Sequence, residues 1–200
     1  MEKELNLNQF QTDSNLAEKL FQIIKNSFDK DNNKFYIEPS AGEGSFYNIL
    51  PQNRRAGVDI DTDLQEKYPE YIFSDFLKTN AKQIFQSKAA TTTRENIIVI
   101  GNPPFSLRST VKKGPLNNRL TGGSKNMSLL FINHAATMAD TVCMILGCNM
   151  RKLSIQEKVN NELHLVHEEI LSSQLWKNSD KQSFGLKKAS KRVTDINAVF

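Results

Sequence analysis

Cysteine, tryptophan and histidine are scarce in this chain, with two, one and three residues among 200. Cys143 and Cys148 stand five apart in one apolar segment, with no His or Cys at metal-ligand spacing beside them. A disulfide scaffold and a zinc module are therefore excluded. Buried free thiols in a reducing compartment are the reading, and no metal is expected. A run of about 18 apolar residues is missing too, and the first residues are polar, so neither a membrane span nor a signal peptide is expected. Acidic residues are absent from Ser106 to Asn126, where Arg108, Lys112, Lys113, Arg119 and Lys125 occur. What is present suffices for one domain over residues 1–200: 38% of the chain is hydrophobic, enough for a core.

Charge is unevenly spread. Residues 1–100 carry 12 basic and 15 acidic side chains, whereas residues 101–200 carry 14 and 7. A basic second half suggests an anionic partner for it. Gly114-Pro115 and Gly122-Gly123 make the 106–126 stretch a flexible basic loop. Such a loop suits phosphate contacts.

Taken in order, the chain alternates helices and strands. Thr12, Asp13 or Ser14 can cap a helix with Leu16, Leu20, Ile23, Ile24 and Phe28 on one face. Lys34 to Glu38 reads as a short strand opening into Glu38-Pro39-Ser40-Ala41-Gly42-Glu43-Gly44-Ser45-Phe46. The glycines permit a tight turn and close ligand approach, and a helix starting near Ser45 would aim its free N–H groups at that ligand. Arg54 to Val58 is a second strand and ends in Asp59-Ile60-Asp61. Tyr71 to Phe73 is a third and ends in Ser74-Asp75-Phe76. A fourth, Asn96 to Gly101, runs into Asn102-Pro103-Pro104-Phe105. Each strand thus finishes on a polar group at the edge where open α/β sheets bind ligands.

The Asn-Pro-Pro-Phe turn is stiff. Proline fixes φ and donates no N–H, and the residue before each proline is pushed out of the helical region. An amide side chain, a backbone carbonyl and an aromatic ring are then held ready to grip a planar group bearing an NH2. Glu38 and Asp59 are 21 residues apart, about the interval at which nucleotide-binding α/β folds place an acid for ribose hydroxyls. The loop holds Glu38 and Glu43 but no lysine. It suits a cationic sulfonium better than a dinucleotide pyrophosphate.

Beyond the loop, Ser128 to Ala139 reads as a helix, Thr141 to Gly147 as a wholly buried fifth strand and Arg151 to Asn161 as a helix. His164 to Leu171 alternates loosely as a sixth strand. Asp195 to Phe200 reads as a seventh, and the sequence stops within it, which leaves room for a trimmed C-terminal stretch.

In order and spacing, Glu38-x-x-x-Gly42-x-Gly44, Val58-Asp59-Ile60-Asp61, Ser74-Asp75-Phe76 and Asn102-Pro103-Pro104-Phe105 resemble S-adenosylmethionine-dependent methyltransferases of exocyclic amines. The N6-adenine type is nearest, as in small phage and bacterial DNA adenine methyltransferases, and Phe10-Gln11-Thr12 resembles that family's N-terminal motif. The resemblance implies one Rossmann-like seven-stranded sheet of order 3-2-1-4-5-7-6 with the last strand antiparallel. Residues 1–30 would cap the cofactor. It implies S-adenosylmethionine, without metal, held by Phe10, Thr12, Glu38, Ser40, Gly42, Gly44, Asp59, Ile60, Asp75 and Phe76. Glu38 and the two glycines would cradle the methionine part, Asp59 the ribose, and Ile60, Asp75 and Phe76 the adenine.

Asn102 and Pro103 would accept from the target amine, with Pro104 stiffening the turn and Phe105 stacking on the base. No strong base is needed, so His134, His164 and His167 are not candidates. Arg108, Lys112, Lys113, Arg119 and Lys125 would grip nucleic acid, DNA in preference to RNA. No target-recognition domain is evident, so specificity would come from residues 106–126, the basic 177–192 stretch, or a partner subunit or dimer. The setting implied is the cytoplasm of a bacterium or a phage-infected host. The same chemistry on RNA adenine, guanine N2 or a protein glutamine stays open. So does a non-catalytic nucleic-acid-binding subunit.

Overall fold

A computed structural model describes residues 11–88, 92–104, 126–172, 176–177 and 195–199. Phe10, Phe105, Arg108, Lys112, Lys113, Arg119 and Lys125 lie outside them. The elements are β1 (Gln11–Thr12), α1 (Ser14–Phe28), β2 (Phe35–Glu38), β3 (Arg55–Asp59), β4 (Ile72–Phe73) and α2 (Ala81–Lys88). There follow β5 (Ile97–Gly101), α3 (Met127–Ala135), β6 (Thr141–Gly147), α4 (Leu153–Gln156), β7 (Glu168–Ser172), β8 (Trp176–Lys177) and β9 (Asp195–Val199).

Five parallel strands run in the order β4-β3-β2-β5-β6. This is the expected 3-2-1-4-5 core. Beyond β6, β9 pairs antiparallel with both β6 and β7, while β8 pairs antiparallel with β1.

The central strands β2, β3 and β5 are buried on both faces because their inner positions are apolar and successive side chains point opposite ways. Phe35, Ile37, Val58, Ile97, Val99, Met144 and Leu146 join Ile84, Phe131 and Ile132 of α2 and α3 on one face. Tyr36, Ile98, Ile100, Cys143 and Ile145 join Leu16, Leu20, Phe21 and Ile24 of α1 on the other. Asp13 caps α1, its carboxylate accepting from Asn15 N at 2.9 Å.

Four expectations are corrected. No α-helix starts near Ser45: Tyr47–Ile49 form a 3-10 turn, and Leu50 is already extended ahead of Pro51. A residue before proline avoids the helical region, so too few residues remain for a helix. The helix expected over 128–139 ends at Ala135, three further residues forming a turn. The helix expected over 151–161 shrinks to α4, because the Asn133 side chain donates to Lys158 O and accepts from Asn160 N, drawing that backbone away. Residues 164–167 are exposed and β7 begins only at Glu168, which pairs with Val199. In addition, Thr141, Val142 and Gly147 of β6 are only partly buried.

Asp29, at the end of α1, has a fully buried carboxylate. It accepts from Asn33 N (2.7 Å), Lys34 N (2.9 Å) and the Tyr36 hydroxyl (2.7 Å), with Arg54 Nη1 at 3.8 Å. Asp29→Ala would take the acceptor from the buried Tyr36 hydroxyl, worth about 1–3 kcal/mol alone, and from two part-buried backbone N–H groups. The expected loss is about 3 kcal/mol of stability, or roughly 6–12 °C in Tm, read by thermal melts. A variant melting like the wild type would refute the assignment.

Candidate active site

The strand ends converge on the carboxyl edge of the sheet. Glu38 closes β2, Asp59 closes β3, Asp75 follows β4 and Asn102 follows β5. The loop after β2 is stitched to its neighbours by backbone groups. Ala41 N donates to Val58 O at 3.0 Å, and Gly42 N donates to Asp59 Oδ2 at 2.7 Å. Gly42 and Gly44 have φ of +49° and +78°, a region that favours glycine. At Gly44 an added Cβ would also lie 2.7 Å from Asn48 Nδ2 and 3.0 Å from the Tyr71 hydroxyl. Over Gly42 there is open space.

Two acids under this loop are buried. Glu38 is 2% exposed. Burial pushes its carboxyl well above the usual range, the N–H groups of Tyr47 and Phe46 oppose this, and Asp59 reinforces it. Glu38 Oε2 has no hydrogen-bond partner among the described residues. Asp59 is raised as well, chiefly by burial, against the pull of Asp61 N (2.9 Å) and Gly42 N. Each Asp59 oxygen has accepted one backbone N–H and retains acceptor capacity, since a carboxylate offers about four lone-pair sites. An orphaned buried carboxylate oxygen under a glycine loop, with a second carboxylate able to accept hydroxyls, fits a ligand that is cationic at one end and carries a diol. S-adenosylmethionine is such a ligand.

Asn102 is held from two sides. Its carbonyl accepts from Ser40 Oγ at 3.0 Å, and its Nδ2 donates to Thr12 Oγ1 at 3.3 Å. Pro103 and Pro104 continue the turn in coil. Asp75 caps the turn Phe76–Lys78, accepting from Leu77 N at 3.1 Å and pairing with Lys78 at 3.5 Å. Ile60, beside Asp59, is 53% exposed and offers an apolar surface at the edge. Phe76 lies in the core, against Phe131 and edge-on to His134, rather than on an open wall. His134 itself bonds the Thr79 carbonyl at 2.7 Å. Glu43 forms an ion pair with Lys67, so its charge is matched on the rim, and Glu38 is the buried acid of the loop.

Sequence reasoning missed the support beneath the glycines. Tyr68 and Tyr71 stack with centroids 4.7 Å apart, Tyr47 meets Tyr71 edge-on, and the Tyr68 hydroxyl donates to Glu43 O at 2.6 Å. Gly57 is what lets this cluster approach β3, since a Cβ there would lie 3.0 Å from both Tyr47 and Tyr71. A glycine inside a strand was the available signal. Ser45, whose hydroxyl donates to Thr12 O at 2.7 Å, was also missed. Among the described residues no group of three or more His, Cys, Asp or Glu could hold a metal ion, and no helix is long and apolar enough to cross a membrane.

No known protein family's profile matches the chain, and no curated protein matches it in sequence. Solved structures do share its shape. A candidate RNA methyltransferase from Pyrococcus horikoshii superposes with a TM-score of 0.55 at 14% identity, over 99% of this chain and 88% of that one. The modification subunit of a candidate type I restriction enzyme from Vibrio vulnificus gives 0.59 at 11% identity, over 98% and 45%. A DrdV–DNA complex gives 0.51 at 14% identity, over 82% and 23%. The chain thus spans less than half of the second and under a quarter of the third. At these identities the likeness is one of fold: the chain adopts a methyltransferase-type α/β fold.

Proposed function

We propose that this chain is an S-adenosylmethionine-dependent methyltransferase of the exocyclic N6 amine of adenine in DNA, built on a seven-stranded methyltransferase sheet. The observation that carries the reading is the doubly tethered Asn102, set at the same sheet edge as the buried Glu38 and Asp59. When bound, the cofactor supplies an electrophilic methyl group on a cationic sulfur. Glu38, with Gly42 and Gly44, would hold its methionine end. Asp59 would accept its ribose hydroxyls, and Ile60 and Asp75 would hold its adenine, with Phe76 behind them.

The chain's own part in the chemistry is to prepare the amine. Asn102 Oδ1 and the Pro103 carbonyl accept from the target NH2, draw the nitrogen toward sp3 geometry and turn its lone pair out of the ring. Positioning and charge stabilisation then supply most of the catalysis. The base must leave its helix to reach this edge, and Phe105 would stack on it. Arg108, Lys112, Lys113, Arg119 and Lys125 would hold the phosphates, weakening as salt rises. A partner subunit or a second copy would add target recognition, in line with the modification subunit among the fold neighbours.

RNA is the second reading, favoured by the neighbour described as an RNA methyltransferase, which this chain covers almost from end to end. One experiment tests both. The chain is offered S-adenosylmethionine with a labelled methyl group, together with duplex DNA, single-stranded DNA, RNA or protein, and the products are hydrolysed to nucleosides and amino acids. N6-methyldeoxyadenosine is expected. Label on RNA, on guanine N2 or on glutamine moves the substrate, and no transfer with no cofactor heat in calorimetry overturns the enzyme.

A further inference from the structure

Thr12 is one of few buried polar residues among those described, only 6% exposed, and its polar groups are committed to the active-site edge. Its carbonyl accepts from Ser45 Oγ at 2.7 Å, and its Oγ1 accepts from Asn102 Nδ2 at 3.3 Å. The flanking backbone of β1 pairs with β8, Thr12 opposite Trp176. Ser40 Oγ meanwhile holds the Asn102 carbonyl. A two-residue strand, short of hydrogen bonds of its own, is thereby clamped across the turn that follows β5, 90 residues away in sequence.

We propose that Thr12 is a positioning residue that fixes the plane of the Asn102 carboxamide by holding Nδ2, so that Oδ1 meets the target amine. The inference rests on the reading of Asn102 as the group that touches that amine. The resemblance puts Thr12 on the cofactor, whereas the clamp puts it on Asn102. A carboxamide whose χ2 is loose presents its oxygen to the amine only part of the time, and χ2 of Asn is intrinsically broad. One hydroxyl tie narrows it. The 3.3 Å length is no objection, because hydrogen bonds of catalytic side chains are often long before substrate arrives and tighten afterwards. Because β1 is paired with β8, the same clamp joins Asn102 to the chain leading into the basic 177–192 stretch.

The test uses Thr12→Val, which keeps the shape and removes the hydroxyl, and Thr12→Ser, which restores it. In 15N-labelled protein, the Asn102 side-chain NH2 resonances, identified by their loss in Asn102→Ala, should shift and exchange faster in Thr12→Val and return in Thr12→Ser. With the acceptor that the wild type methylates, kcat should fall about 10- to 100-fold in Thr12→Val, the scale of a misplaced catalytic group. Binding of S-adenosylhomocysteine should be nearly unchanged, and Thr12→Val should add nothing in an Asn102→Ala background.

Equal losses in binding and in kcat would make Thr12 a cofactor or folding residue and overturn the proposal. NH2 resonances that stay put in an active chain would overturn the tie alone. A wild type that transfers no methyl group to any acceptor would overturn the methyltransferase reading, and the role of Thr12 with it.

Discussion

Asn102→Ala is expected to lower methyl transfer by about 10²- to 10³-fold, the scale on which a single preorganised catalytic dipole acts. Binding of S-adenosylhomocysteine should stay close to wild type. The prediction follows from where the side chain sits. Asn102 stands on the turn after β5, its carbonyl held by Ser40 and its amide by Thr12, while the acids assigned to the cofactor stand at the ends of β2 and β3 and on the turn after β4. Removing the carboxamide takes an acceptor from the amine and leaves the glycine loop, Glu38 and Asp59 in place. Asn102→Asp keeps an acceptor oxygen and should lose less. Single-turnover transfer and calorimetry on the same preparations read the two quantities. Parallel losses would mean that Asn102 braces the edge rather than acting on the amine.

The parts of this site that were legible in the sequence are those in which a local pattern carries the physics. Apolar runs ending in Glu38, Asp59, Asp75 and Asn102 gave away both the strands and their common edge, because parallel strands are apolar throughout and polar only where they stop. Gly42 and Gly44 were legible as a turn, since φ values of +49° and +78° are ones that other residues avoid.

What stayed hidden depends on partners distant in sequence. Nothing in Asp29 announces that residues 33, 34, 36 and 54 will converge on it. Glu43 looks like a site acid until Lys67 matches its charge. Phe76 follows Asp75 in a motif-like order yet turns into the core against Phe131. The missing helices had nearer causes that a stricter reading would have caught: Pro51 stops one, and the 151–161 segment has only Leu153, Ile155 and Val159 as apolar residues. Of these, Leu153 is 69% exposed, while Ile155 and Val159, four apart, reach the core.

Glu38→Gln is expected to do two opposite things, which makes it a sharp test of the buried acid. In the ligand-free chain Glu38 lies buried beneath the glycine loop, its carboxyl raised first by burial and further by Asp59, against two backbone N–H groups. A carboxyl raised on folding binds its proton more tightly in the folded than in the unfolded chain. Its contribution to stability is full below the ordinary glutamate value and is lost as pH rises through the raised one. The ligand-free wild type should therefore melt at lower temperature as pH climbs through that window. Glu38→Gln, with nothing to ionise, should show a flatter profile and a higher Tm above it.

Binding should move the other way. If Glu38 holds the cationic end of the cofactor, loss of a charged hydrogen-bonding partner costs about 1.5–3 kcal/mol, roughly 10- to 150-fold in Kd. Thermal melts across pH and calorimetry with S-adenosylmethionine read the two effects separately. A variant that melts lower than wild type at neutral pH would make Glu38 a structural acceptor for Phe46 and Tyr47. A variant that binds normally would take the carboxylate out of the cofactor site. Only a gain in stability together with a loss of binding marks a charge kept buried for a ligand.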